Sequence, residues 1–234
     1  MIDVSNLSVK YGGVVALDHV SLHLTDGVIG LIGPNGAGKT TLINAISGFA
    51  PVVGGTIGVN GCDLLTMAPH ARARWGLARS FQQVQTVPDL TVEDHLLAVL
   101  DAKGLPRAGR AAEIDHALGF LDIAHIRNTE GRDLNQFEAR MTEIGKCLVG
   151  GPRMVLLDEP GGGLSDIEMV RLRRAITRIH AEFGAQVLLV DHDVDLIRDV
   201  CSVTAVLDFG KLIAYGLTSE VLANEVVRAA YLGR

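Results

Sequence analysis

Paired cysteines, long apolar runs and an excess of basic residues are all missing from this sequence, and each absence excludes a class of protein. Its three cysteines, Cys62, Cys147 and Cys201, stand far apart in 234 residues. There is no C-x-x-C pair, which argues against a zinc ribbon or a disulfide scaffold and suits a reducing compartment. Each cysteine reads as a small buried hydrophobe. Mean hydropathy is +0.29, yet no apolar stretch approaches the roughly 18 residues that a spanning helix requires. The longest, Val28–Ile32 and Val187–Val190, have the length of strands. The opening Met1-Ile2-Asp3-Val4 has neither a basic flank nor an apolar core, so no secretory signal is expected. A net charge of −6 gives no global attraction to nucleic acid or anionic lipid, and no nucleic-acid partner is expected. Repeats and low-complexity segments are absent as well.

What is present fits a packed globular chain. Hydrophobic residues make up 48% and charged residues 21%, enough apolar surface to bury a core. The length suits one large domain or a core with an inserted subdomain. The start reads as strand, with the alternation of Val20-Ser21-Leu22-His23-Leu24 marking a half-buried one. Gly27–Gly33 reads as a fully buried strand. Thr40–Ser47 predicts a helix closed by Gly48. Thr56–Val59 predicts a strand that turns at Asn60-Gly61.

From Thr91 to Arg132 the β pattern fades. Thr91-Val92-Glu93-Asp94 has the form of a capping box before Leu96, Leu97, Val99 and Leu100, and Ala111–Leu121 is helical in pattern. Residues 84–146 are therefore expected to form a helical subdomain, broken at Gly104-Leu105-Pro106. Alternation of strand and helix then returns. Met154–Leu157 predicts a buried strand. Ser165-Asp166-Ile167-Glu168 is a second capping box, leading a helix with Met169, Leu172, Ile176 and Ile179 on one face and Gly184 at its end. Gln186–Val190 and Val203–Leu207 predict two more strands with a short helix between them. Such alternation predicts a largely parallel sheet covered on both faces.

The chemistry begins at Gly33-Pro34-Asn35-Gly36-Ala37-Gly38-Lys39-Thr40, which fits G-x-x-x-x-G-K-[ST]. Glycines at these positions let backbone N–H groups turn inward around phosphate oxygens, and the helix that follows aims its positive end at them. Asn35, Gly36, Ala37, Gly38, Lys39, Thr40 and Thr41 are the expected phosphate-binding residues. Lys39 reaches the β- and γ-phosphates in this reading, and Thr40 offers its hydroxyl to Mg²⁺. The buried strand before the loop and the helix after it supply the context the motif requires.

A second strand, Met154–Leu157, ends in Asp158-Glu159, which places two carboxylates at the carboxyl edge of the sheet. Asp158 is expected to hold Mg²⁺ through water, and Glu159 to polarise the attacking water. Gln82, in Arg79-Ser80-Phe81-Gln82, is expected at the metal and the water, and His192, after Val187–Val190, at the γ-phosphate. The run Asp191-His192-Asp193-Val194-Asp195 carries Leu196 at the sixth position, where a calcium loop needs glycine, so a calcium site is not expected. The basic stretch His70–Arg79, with Arg72, Arg74 and Arg79, reads as a solvated helix face.

Taken together these residues resemble the ATP-binding subunit of an ABC transporter over nearly the whole chain. Gly33–Thr40 is similar to its Walker A loop, Gln82 to the Q-loop glutamine, Asp158-Glu159 to the Walker B pair, and His192 to the switch histidine. Tyr11, in Val9-Lys10-Tyr11-Gly12-Gly13, is similar to the aromatic residue that stacks on adenine. The resemblance implies an α/β P-loop NTPase with a RecA-like core and parallel sheet, a small antiparallel β subdomain and an inserted helical subdomain. In that division residues 1–83 and 147–213 form the core with its β subdomain, 84–146 the helical insert and 214–234 a C-terminal helical tail. It also implies ATP and Mg²⁺ as ligands and a peripheral position on the cytoplasmic face of a membrane. The implied partners are a second ATP-binding subunit, two membrane permeases and an external solute-binding protein. Three stretches, Tyr11–Asp18, Arg79–Gln82 and Arg228–Gly233, resemble the branched-chain amino-acid importers and their relatives that move amides and urea. Part of 84–92 is implied to touch the membrane subunits.

The sequence departs from the family at its signature, which usually reads L-S-G-G-Q. The matching segment is Leu134-Asn135-Gln136-Phe137-Glu138. Phe137 is expected to set a large side chain where backbone approaches phosphate, and Glu138 to bring negative charge there. Losing one charge-assisted hydrogen bond costs about 1.5–3 kcal/mol, or roughly 10- to 150-fold. Gly161-Gly162-Gly163, before Ser165-Asp166, is expected to form an unusually mobile loop. The signature serves the partner's ATP in such dimers, so an asymmetric heterodimer is expected ahead of a homodimer. Against an ATPase that powers solute import stand three other readings: a soluble P-loop kinase, a non-hydrolysing regulatory subunit and a DNA-acting ATPase.

Overall fold

The computed structural model describes residues 2–24 and 27–232, and within them two sheets carry the architecture. The first is antiparallel, with β1 (Ile2–Tyr11), β2 (Val14–Leu24), β4 (Val52–Val59) and β5 (Cys62–Asp63) in the order β2-β1-β4-β5. The second holds β3 (Val28–Ile32), β6 (Leu77–Arg79), β7 (Met154–Asp158), β8 (Gln186–Val190), β9 (Val203–Asp208) and β10 (Lys211–Leu217) in the order β10-β9-β3-β8-β7-β6. Five of these run parallel, and β10 closes one edge antiparallel to β9. The strands β3, β7 and β8 are buried along their whole length, which is why they read as unbroken aliphatic runs rather than alternating ones.

The helices are α1 (Lys39–Ser47), α2 (Pro69–Trp75), α3 (Val92–Ala102), α4 (Arg110–Phe120), α5 (Gln136–Leu148), α6 (Asp166–Phe183), α7 (Val194–Val200), α8 (Thr218–Ala223) and α9 (Glu225–Val227). Both expected capping boxes form, Thr91 with Asp94 and Ser165 with Glu168. Gly48 and Gly184 take left-handed conformations that end α1 and α6. On α6, Met169, Leu172, Ile176 and Ile179 are buried as the spacing predicted. Helices α3, α4 and α5 share one apolar cluster with α6 and one face of the six-stranded sheet. The other face of that sheet packs with α1 and the antiparallel sheet around Leu42, Ile43, Ile46 and Leu156. The architecture is that of a RecA-like P-loop NTPase core with a small antiparallel sheet and a helical insertion.

Three local expectations need correction. His70–Arg79 is not one solvated helix face. Gly76 ends α2 with φ +120, and Leu77–Arg79 continues as the edge strand β6 beside β7. Arg72 is buried there, and its guanidinium donates to Ala45 O and Ile46 O, both at 2.7 Å, and to Met67 O at 3.0 Å. It thereby adds donors at the carbonyl end of α1, where Gly48 N also donates to Ala45 O. The C-terminal helices begin at Thr218, not 214, because β10 runs to Leu217. The glycine run Gly161–Gly163 is hydrogen-bonded to its surroundings rather than unattached. Gly162 N donates to Glu159 O, Leu164 N to Gly161 O, and Gln136 Nε2 to Gly162 O. Cys147 and Cys201 are buried, and Cys62 is half-buried.

Candidate functional site

The parallel register brings four strand ends to one edge. Leu31 pairs with Val190, Asp158 with Val190, and Arg79 with Leu156, so the chain leaves β3, β6, β7 and β8 side by side. Gly33, Gln82, Glu159 and His192 follow these ends. This is the edge at which open α/β sheets bind their ligands.

The loop from Gly33 to Gly38 wraps the start of α1. Gly38 has φ +105, and a Cβ there would lie 2.9 Å from Ala16 O, so the loop accepts only glycine at that point. Lys39 is buried, and its ammonium donates to Gly33 O at 2.6 Å and Pro34 O at 2.9 Å. Burial lowers the Lys39 pKa, and the charges of Glu159 and Asp158 act to raise it. Asn35, Gly36, Ala37, Gly38, Lys39, Thr40 and Thr41 line a cleft of about 600 Å³ together with Gln82 and Glu159. An adjoining hollow is lined by Gly33, Pro34, Asn35, Gln82, Glu159 and His192, with Ala230 from the C-terminal segment.

Glu159 takes φ +48, a rare conformation for a residue with a side chain, and its N–H donates to Val190 O at 2.7 Å. Its carboxylate accepts from Gln82 Nε2 at 2.6 Å and stands 3.8 Å from His192 Nδ1. Gln82, Glu159 and His192 are thus gathered at one point beside the phosphate loop. Asp158 lies behind them, buried. Its N–H donates to Ser80 Oγ at 3.3 Å, and its carboxylate meets Arg79 Nη2 at 3.2 Å. Burial pushes the Asp158 pKa up, and Arg79 pulls it back. Arg79 also donates to Asn44 Oδ1 at 2.7 Å on α1, which ties the phosphate-loop helix to the acidic strand end. The sequence reading missed this role for Arg79. The one signal available was that a buried carboxylate at a strand end needs a cation.

Helix α5 holds the segment that carries Gln82. Arg140 donates to Phe81 O and Gln82 O, both at 2.9 Å. Lys146 donates to Gln85 O at 2.7 Å and to the Glu143 carboxylate at 2.6 Å. The aspartates around His192 serve the backbone. Asp191 accepts from the N–H groups of His192 and Asp193, and Asp193 caps α7 through the N–H groups of Asp195 and Leu196.

Tyr11 is exposed and pairs across the β1–β2 turn with Val14. The cleft lining includes Val14, Val15 and Ala16 and, from the β9–β10 turn, Phe209 and Gly210, but not Tyr11. The signature segment also differs from expectation. Phe137 does not stand over the surface. It is 4% exposed, its ring lies within the helical layer, and the Arg171 guanidinium covers it at 4.6 Å. Glu138 folds back, so that its carboxylate accepts from Asn135 N at 3.0 Å while Asn135 Oδ1 accepts from Glu138 N at 2.9 Å. The side chain of Asn135 and the N–H groups of both residues are thus used to start α5. Gly163, at φ +78, lies where a Cβ would come within 2.2 Å of the Gln136 amide.

The family model described as ABC transporter matches residues 17–162. The chain is 36% identical over 233 residues to the lipopolysaccharide export system ATP-binding protein LptB of Escherichia coli, covering 97% of this chain and 95% of that one. It is 32% identical to the high-affinity branched-chain amino acid transport ATP-binding protein LivG of Salmonella typhimurium, covering 100% and 98%. Among solved structures, the ADP conformation of MJ1267, an ATP-binding cassette of an ABC transporter, superposes with a TM-score of 0.89 at 26% identity. That likeness covers 100% of this chain and 99% of the other.

Proposed function

Starting from a chain that belongs to the ABC transporter ATP-binding family, we propose that the cleft between Gly33–Thr41 and Glu159 binds Mg-ATP and that water attacks its γ-phosphorus there. ATP hydrolysis itself follows from the family and the fold. The assignment of residues rests on one observation above all: Gln82, Glu159 and His192 meet at the mouth of the phosphate loop. In this reading Lys39 exchanges its two carbonyl partners for β- and γ-phosphate oxygens, a charge-assisted gain. Glu159 orients and polarises the water, Gln82 fixes Glu159, and His192 contacts the γ-phosphate. Catalysis of this kind works mainly by positioning and charge neutralisation.

The residues present fit magnesium. Hard divalent cations take oxygen ligands and keep several waters alongside substrate phosphates. The exposed hydroxyl of Thr40 and the side-chain oxygen of Gln82 stand at the cleft, and Asp158 lies behind it to act through water. Bound there, the ion would neutralise charge on the β- and γ-phosphates.

The transport role proposed is import of branched-chain or other hydrophobic amino acids or related small amides, on the cytoplasmic face of a membrane. Support comes from the three sequence stretches noted above and from the likeness to LivG and to BraF of Pseudomonas aeruginosa, the latter at 30% identity. Two permeases, an external binding protein and a second ATP-binding subunit complete the proposed assembly. A heterodimer is favoured because Asn135 and Glu138 satisfy each other within this chain, which leaves a poor grip for a partner's γ-phosphate. A homodimer remains the alternative arrangement. The test is ATP turnover by the chain alone and mixed with candidate partner subunits, with Lys39→Ala as control. Turnover that appears only in the mixture supports the asymmetric assembly. Strong turnover by the chain alone refutes it, and turnover that is undiminished in Lys39→Ala refutes the cleft.

A further inference from the structure

Two of the described hairpins turn through a pair of residues that are both at positive φ, and only one of them carries the residue that such a turn favours. Val59 pairs with Cys62 around Asn60-Gly61, and Asp208 pairs with Lys211 around Phe209-Gly210. Both turns place both central residues at positive φ, Asn60 at 48° and Gly61 at 78°, Phe209 at 43° and Gly210 at 76°. Tight hairpins of this type strongly favour Asn-Gly, and a bulky side chain at positive φ is strained. Phe209 accepts that strain while 81% exposed, so its ring gains little packing in return.

The turn sits on the phosphate loop. Gly210 N donates to Ala37 O and Gly210 O accepts from Asp18 N, both at 2.9 Å. A Cβ on Gly210 would come within 2.7 Å of Ala16 O. The position of Phe209 relative to Gly36–Lys39 is therefore fixed by backbone. Phe209 is among the residues that line the same cleft, with Val14, Val15 and Ala16. That part of the lining is apolar, whereas Lys39, Gln82 and Glu159 supply a charged and polar part. A nucleotide needs both kinds of lining, polar and charged groups for its phosphates and apolar surface for its flat base.

We infer that Phe209 is a base-binding residue, whose ring packs on the purine of the nucleotide held by Gly33–Thr41. The inference rests on the proposed nucleotide cleft and adds to it the residue that recognises the base. Aromatic–base contacts tolerate any base with a π-face, and their loss weakens binding about 10-fold or more. The base contact then comes from the β9–β10 hairpin, since Tyr11, the residue similar to the family's stacking aromatic, is not part of the cleft lining.

The experiment compares ATP with inorganic tripolyphosphate as probes, by calorimetry with Mg²⁺, on wild type, Phe209→Asn and Phe209→Tyr. Phe209→Asn installs the residue the turn prefers, so its melting temperature should hold or rise. Its ATP affinity should fall about 10-fold with no change for tripolyphosphate, and Phe209→Tyr should retain wild-type affinity. ATP affinity in the Asn variant within twofold of wild type would overturn the inference, as would an equal loss for both probes. Should wild type bind neither probe, the cleft itself fails, and that result is distinct from a failure of Phe209 alone.

Discussion

Gln82 and Glu159 come from different strand ends and meet with Nε2 and Oε2 2.6 Å apart. The glutamine amide thereby fixes the orientation of a carboxylate whose backbone is already held at φ +48 by Val190 O. The segment carrying Gln82 is in turn held by Arg140 of α5, the helix that starts at the signature segment. Helix α5 is thus joined through Arg140 to the segment whose glutamine orients Glu159.

Arg140 should therefore act as a positioning residue. Arg140→Met removes two charge-assisted donors from Phe81 O and Gln82 O. We expect kcat to fall roughly 10- to 150-fold, the cost of about 1.5–3 kcal/mol in positioning, with ATP affinity nearly unchanged. Steady-state kinetics with a parallel ATP titration checks this. A loss of affinity equal to the loss of kcat would assign Arg140 to binding instead.

Arg79 and Asp158 form a buried pair, and removing one partner leaves a charge without compensation. Arg79→Ala should destabilise the chain by about 3–5 kcal/mol, read by chemical denaturation. The pH dependence has a definite sign. The Asp158 pKa is raised on folding, chiefly by burial. The folded state then holds the proton more tightly than the unfolded one, so this group contributes stability at low pH that is lost as pH rises from the unfolded value through the folded one. In Arg79→Ala the folded value moves further up, and the loss should extend to higher pH. A variant with a narrower window than wild type would contradict the ion pair.

The signature segment cannot be repaired by restoring glycine. Phe137 is core, so Phe137→Gly opens a cavity and puts glycine into a helix. A cost of about 3–5 kcal/mol is expected from the lost ring alone, with no gain in turnover. Asn135→Ala should cost about 0.5–2 kcal/mol through the lost cap. Thermal melts of both variants test this. A Phe137→Gly variant that is as stable as wild type and more active would return the segment to its expected surface role.

Thiol chemistry should separate the cysteines. Burial pushes the Cys147 and Cys201 thiols up to about 12, which leaves almost no thiolate at pH 8. Iodoacetamide at pH 8 should label Cys62 in the folded chain and all three after denaturation. Rapid labelling of Cys147 in the folded chain would contradict its buried place on α5.

Much of the core was legible because its elements carry their own local signals. The strands β3, β7 and β8 read as aliphatic runs, and Ser165 with Glu168 announced the start of α6. The phosphate loop read equally well, since its glycines answer to backbone geometry that is local to the loop. What the sequence hid depends on partners far along the chain. Arg72 and Arg79 looked like solvated charges because their carbonyl and carboxylate partners lie on α1 and β7. The three-residue β6 is too short to show a period, and its pairing with β7 alone defines it. Phe137 was misread because the family pattern fixed attention on the backbone of the segment, while its own place on α5 sends the ring into the helical layer.

The most direct measurement is single-turnover hydrolysis of Mg-ATP by Glu159→Gln, made alongside its ATP affinity and in the presence of whichever partner supports wild-type turnover. The account predicts wild-type affinity with hydrolysis reduced at least about 100-fold, the loss expected when a group positioned for general-base work is removed. Hydrolysis at the wild-type rate in that variant would contradict it.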